Sequence, residues 1–161
     1  MEKLLHYVWK HRILPLGSLI TTDGRRVEVI DPGMHNHDGG PDFFNAKVLV
    51  EGILWAGNVE IHLRSSDWFR HGHDTDAAYD GVVLHVVQDA DCEVKSSQGR
   101  SIPQVIMHIP DSLVQDYQSL LRTDEFPRCH RILPSIDPIR MHGWMDRLLV
   151  ERLQQRATLL L

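Results

Sequence analysis

Leu4, Leu5, Val8 and Trp9 recur at the spacing of one helical face, which predicts a short amphipathic helix over residues 2–12, ended before Pro15. The period then falls to two. Segments 18–22 and 25–30 flank Asp23-Gly24, a strong signal for a two-residue hairpin turn. A polar, glycine-rich stretch from Met34 to Gly40 reads as a loop. Residues 43–50 and 53–63 read as two strands joined at Glu51-Gly52, with an irregularity expected at Ala56-Gly57. A short helix is expected around 67–70 and a turn through His71-Gly72-His73-Asp74. The continuous apolar run 82–87 then predicts a strand covered on both faces. Segments 92–95 and 102–109 read as a further hairpin about Gln98-Gly99, and 111–121 as a helix. Asp137-Pro138 supplies a cap and a first-turn proline for a last helix, whose apolar stripe (Met145, Leu149, Val150, Leu153, Ala157, Leu160) continues with no stop signal.

This order of elements predicts an α/β (α+β) fold, with a mixed, mainly antiparallel central sheet flanked by helices. Residues 1–135 are expected to form one domain. Residues 136–161 are expected to form a helix that docks on a partner chain or on a region beyond this chain. The length of 161 residues suits one core, and no apolar run approaches the roughly 20 residues of a membrane-spanning helix. The N-terminal segment carries charged residues or imidazoles every few positions, unlike a secretory signal, so a cytoplasmic location and no membrane contact are expected. Two distant cysteines, Cys92 and Cys129, indicate neither a disulfide framework nor a thiolate zinc site, and both are expected to be small buried residues.

A net charge of −5 argues against a chain held to nucleic acid by bulk positive charge. The acidity is concentrated, with twelve carboxylates against four basic side chains between residues 31 and 95. Eleven histidines are present, and imidazole is the commonest metal ligand. Alternation along the second central strand puts Asn58, Glu60 and His62 on one face and Val59, Ile61 and Leu63 on the other. Because the turn at Glu51-Gly52 joins the two strands, Asp42 falls at the same end of the hairpin as Glu60 and His62. Two carboxylates and an imidazole there make a workable site for a hard divalent cation. His71-Gly72-His73 could chelate a metal from a loop, with His62, His85, His35 or His37 completing the set. On the apolar run, His85 reads as a core histidine whose ring is hydrogen-bonded to a neighbour.

At Pro41-Asp42 and Glu60-Ile61-His62 the sequence resembles the core of the PD-(D/E)XK nuclease superfamily, with 17 residues between Asp42 and Glu60. In that superfamily a helix precedes a meander of strands, one strand starts with an Asp, and the next carries an acidic residue, any residue, then lysine. His62 stands where the lysine belongs. The resemblance implies a restriction-endonuclease-like fold and a Mg²⁺ or Mn²⁺ ion held by Asp42 and Glu60 with the main-chain carbonyl of Ile61. It further implies that His62 accepts a proton from the attacking water, that Lys47 and Arg64 supply positive charge, and that His71 or His73 contacts the scissile phosphate of DNA or RNA. The longer string, from Gly39-Gly40-Pro41-Asp42-Phe43-Phe44-Asn45-Ala46 through Val59-Glu60-Ile61-His62 to Ser65-Ser66-Asp67-Trp68 and His71-Gly72-His73-Asp74, is similar to a bacterial family of unknown function over most of residues 1–110. The segment His71-Gly72-His73-Asp74-Thr75-Asp76 also resembles the His-x-His-x-Asp-His loop of metallo-β-lactamase-like hydrolases, departing from it at Thr75 and Asp76. Three functional expectations follow: a divalent-metal-dependent nuclease, active or descended from one; a non-catalytic module that binds protein or nucleic acid; and a histidine-based metallohydrolase centred on His71 and His73.

Overall fold

A computed structural model describes residues 1–13, 19–122 and 136–158. The chain divides into two compact units, residues 1–114 and 115–161, and each is described by itself. Cys129 and the last residues of the C-terminal apolar stripe lie outside the described residues.

The first unit opens with α1 (Glu2–His11), whose Leu4, Leu5, Val8 and Trp9 are all buried, as their spacing requires. A mixed sheet follows, built from β1 (Leu19–Ile20), β2 (Arg26–Asp31), β3 (Met34–His35), β4 (Phe43–Val50), β5 (Ile53–Arg64), β6 (Val82–Asp89) and β7 (Gln104–Ile106). Its order is β1-β2-β4-β5-β6-β7, with β3 added beside the start of β4. The neighbours from β1 to β5 are antiparallel, whereas β5, β6 and β7 run parallel. Thr21 bridges to Val105, so the two outermost strands touch and satisfy part of each other's free edge.

Several local expectations are met. Leu19 faces Val27 across the Asp23-Gly24 turn. The β4–β5 turn places Glu51 and Gly52 at φ values of 50° and 79°, the paired positive values that match a two-residue loop to strand twist. Other expectations shift. The irregularity foreseen at Ala56-Gly57 lies on the opposite strand, where Asn45 takes a φ of 56° and the register slips between Phe43 and Ala46. Met34 and His35, read as loop, pair with Phe44 and Phe43. The turn about Gln98-Gly99 exists, with Lys95 bridged to Ser101, but the chain then leaves it to pair in parallel with β6. Cys92 is partly exposed, where burial was expected.

Register decides what each face of the sheet's centre carries. Val59 and Ile61 stand beside Leu84 and Val86, and all four are buried. On the other face Glu60 stands beside His85, and His62 beside Val87. That face is covered by α2 (Asp67–Arg70) and the 3-10 turn Ala77–Tyr79, where Trp68 and Tyr79 form an apolar cluster with Val82, Val94 and Ile102. The indole Nε1 of Trp68 donates to the Lys95 carbonyl at 3.0 Å, so the ring is buried without an orphaned donor.

Helix α3 (Asp111–Arg122) spans the division between the units. In the second unit, α4 (Pro138–Thr158) starts as the sequence predicts, with the Asp137 carboxylate accepting from the Ile139 N–H at 2.8 Å. Trp144, Met145, Leu148, Leu149 and Leu153 on it are each more than half exposed. Among the described residues, no helix is long and apolar enough to cross a membrane.

Candidate metal centre

Asp42 lies one residue before β4, where the main-chain ladder to β5 stops. Its carboxylate Oδ2 accepts from the Ile61 N–H at 2.9 Å, and its own N–H donates to Glu60 Oε2 at 3.0 Å. These reciprocal bonds carry the strand pairing one step further through side-chain oxygens and fix both carboxylates. The expected meeting of Asp42, Glu60 and His62 at one end of the hairpin is therefore present. What alternation alone leaves undecided is burial: Glu60 is only 4% exposed and His62 only 2%.

The second Glu60 oxygen, Oε1, faces imidazoles. It lies 3.4 Å from His62 Nε2 and 3.3 Å from His73 Nε2. His62 Nε2 is also 3.1 Å from His71 Nδ1. One nitrogen from each of His62, His71 and His73 falls within 4.8 Å of the others. His73 is buried, its ring stacked on Tyr79 with centroids 3.7 Å apart, while His71 is exposed and gives the cluster its open side. The turn that presents these two residues is closed by the His71 N–H to the Asp67 carbonyl and the His73 N–H to the Trp68 carbonyl.

These separations have a direct chemical meaning. Ligand atoms about 2.1 Å from a divalent ion lie about 3.0 Å apart at octahedral angles and about 3.4 Å apart at tetrahedral ones. The three separations centred on His62 Nε2 and Glu60 Oε1 fall in that window. Burial holds His62 down at about 3, with the neighbouring imidazoles His85, His73 and His71 adding to the effect, so its lone pair is available at neutral pH. Burial raises Glu60, an effect the His73 contact partly offsets and the nearby Asp42 charge reinforces. A carboxyl that resists ionisation and a His62 ring that resists protonation both suit a shared cation.

The family model described as a protein of unknown function, DUF2851, matches residues 2–161. The chain belongs to that family. No curated protein and no solved structure matches it.

Other sequence candidates in this family member lie apart from the cluster. Lys47 is exposed and pairs with Ala56, four positions before Glu60 on β5. Arg64 is exposed at the end of β5, opposite Asp89. His6 of α1, which no motif singled out, sits with Nε2 3.3 Å from Asp42 Oδ2, and that nitrogen is buried with no aligned hydrogen-bond partner. Burial alone would lower His6, but the close approach and charge of the Asp42 carboxylate, with the charge of Glu2, outweigh it and raise it.

Three further residues bear on the cluster. His85, fully buried as a core histidine should be, has its Nε2 2.9 Å from His62 Nδ1. Its Nδ1 is 3.2 Å from Gln104 Oε1, which also accepts from Ser65 Oγ at 2.5 Å. His85 is legible in the sequence as a core histidine but Gln104 is not, its one signal being that it interrupts an otherwise apolar strand.

Proposed function

We propose that this protein is a metal-dependent hydrolase of phosphodiester bonds whose divalent ion is held by His62, His71, His73 and Glu60. The observation that carries the reading is that four donors from two segments, β5 and the turn after α2, meet in three contacts of 3.1–3.4 Å, with three of the residues buried. Three imidazoles and one carboxylate suit zinc or a similar transition metal better than the Mg²⁺ implied by the nuclease resemblance. Such an ion supplies Lewis acidity and a bound water that ionises near neutral pH.

The chain's own groups have distinct parts. His62, His73 and Glu60 hold fixed positions because each is buried and contacted from two sides. His71 leaves the open side through which a substrate enters. Asp42 keeps Glu60 oriented through its N–H while its carboxylate is engaged by the Ile61 N–H, which assigns it to positioning rather than to ligation. The phosphodiester class is supported by the order of α1, the antiparallel β2-β4-β5, a short helix and a parallel β6, which is compatible with the nuclease sheet that Pro41-Asp42 and Glu60-Ile61-His62 resemble.

The test is turnover of bis-p-nitrophenyl phosphate, then of plasmid and single-stranded DNA and RNA, by the full chain supplied with Zn²⁺, Mn²⁺ or Mg²⁺. His73→Ala and Glu60→Gln are each expected to lower kcat/KM by about 100-fold or more, in line with loss of a group that acts on the transition state. Turnover equal to the wild type in both variants overturns the reading.

A further inference from the structure

The amide of Gln104 has an orientation fixed by its surroundings. Its Nε2 donates at 2.8 Å to the Cys92 carbonyl, which can only accept, so Oε1 is the atom turned toward Ser65 and His85. An amide oxygen cannot donate, and the contact with His85 Nδ1 therefore needs the proton on that nitrogen. His85 is fully buried and, among the described residues, its two ring nitrogens meet only the Gln104 amide and the His62 ring, with no carboxylate to balance a charge, so the ring is neutral and its Nε2 is bare. A bare Nε2 lying 2.9 Å from His62 Nδ1 requires a proton there in turn.

We infer that Ser65, Gln104 and His85 form a positioning relay that keeps the proton of His62 on Nδ1 and its lone pair on Nε2, facing Glu60, His71 and His73. The inference deepens the proposed metal centre and rests on that reading for its purpose, although the tautomer itself exists without metal. Each link follows from donor and acceptor chemistry. Cys92 orients Gln104, Gln104 sets His85, and His85 sets His62. Without the relay, a neutral His62 could carry its proton on Nε2, the atom that must be bare to bind a cation. Without a cation, the lone pair is met by an N–H from His71 Nδ1 at 3.1 Å. Gln104, His85 and Ser65 are thus positioning residues that act through His62. The arrangement follows the general rule that a ligating imidazole donates its second ring N–H to an oriented partner.

The test reads the tautomers directly, by long-range ¹H–¹⁵N correlation spectroscopy of the metal-free, full-length protein at pH 7.5. Both His62 and His85 are expected with the proton on Nδ1. Proton on Nε2 of His62 in the wild type overturns the inference. Gln104→Met removes the acceptor at similar length and is expected to mix the His62 tautomers and weaken Zn²⁺ binding, measured by chelator competition, by about 10–100-fold. Gln104→Glu keeps an oxygen toward His85 and is expected to retain the wild-type tautomer. Unchanged tautomer and unchanged Zn²⁺ affinity in a folded Gln104→Met overturn the relay. If the wild type shows both Nδ1 protons yet binds no Zn²⁺, the relay stands and the metal reading fails.

Discussion

Trp68 forms the wall of the histidine cluster, and replacing it with alanine gives a prediction whose size follows from its contacts. The side chain is fully buried. Its ring centroid lies 5.3 Å from those of both His73 and His85 and 5.9 Å from that of Tyr79, and its Nε1 donates to the Lys95 carbonyl. Deleting a buried Trp costs about 3–5 kcal/mol through lost transfer energy and the cavity left behind. The abandoned Lys95 carbonyl adds about 1 kcal/mol. For residues 1–114 an unfolding entropy of about 2.1 cal/mol/K per residue gives about 0.24 kcal/mol/K, so a loss of about 5 kcal/mol lowers Tm by about 20 °C. Trp68→Phe keeps most of the packing and is expected to lose about half as much. Calorimetry together with urea unfolding reads both variants. A Trp68→Ala protein within about 1 kcal/mol of wild type would refute the claim that this ring is what closes the polar face of β5.

Two further predictions concern the same region. A Cβ on Gly57 would stand 2.4 Å from Val83 Cγ1 and 2.7 Å from the Gly81 carbonyl oxygen, which is held by the Asn58 N–H, so Gly57→Ala is expected to cost about 2 kcal/mol in urea unfolding, whereas the same change at solvent-facing Gly39 costs far less. In metal-free protein, burial holds His62 at about 3 and His85 at about 4, below the ordinary 6.5. Between pH 6.5 and those values the unfolded chain binds protons that the folded chain refuses. The stability these two rings contribute is therefore full above pH 6.5 and falls as pH is lowered toward 4, by about 3 kcal/mol for His85 alone; because the raised Glu60 and His6 act in the opposite sense, the fall is read in a Glu60→Gln, His6→Gln background. Urea midpoints that stay flat across this range, or that rise as pH falls, would contradict the neutral buried pair.

Much of this scaffold is written in local pattern. The face of α1 follows from Leu4, Leu5, Val8 and Trp9, and the β4–β5 hairpin from alternation around Glu51-Gly52, because both depend on neighbours within a few positions. The placement of Glu60 and His62 on one face follows from the strand period of two. Their burial does not, because a polar stripe on a strand reads as solvent-facing until another element covers it. Here the cover is the 67–79 segment, whose Trp68 and Tyr79 carry no periodic signal. The parallel pairing of β7 with β6 was equally hidden, since residues 92–109 do form the local turn that suggested a hairpin, and only a long-range contact sends Gln104 to lie beside His85. That contact also completes the polar chain behind His62. Asp42 was legible as a member of the site and β4 begins at Phe43 as read, while the bond from the Ile61 N–H to Asp42 Oδ2 is a side-chain contact that strand period does not encode.

The metal content of the full-length protein tests the central claim most directly. After saturation with Zn²⁺ and gel filtration into metal-free buffer, inductively coupled plasma mass spectrometry is expected to find about one ion per chain in the wild type. In His62→Ala and His73→Ala variants that keep the wild-type circular dichroism spectrum, it is expected to find little above background, because an ion loses its tight hold when a buried ligand is removed. A wild type that retains no more zinc than those variants would contradict the proposed centre.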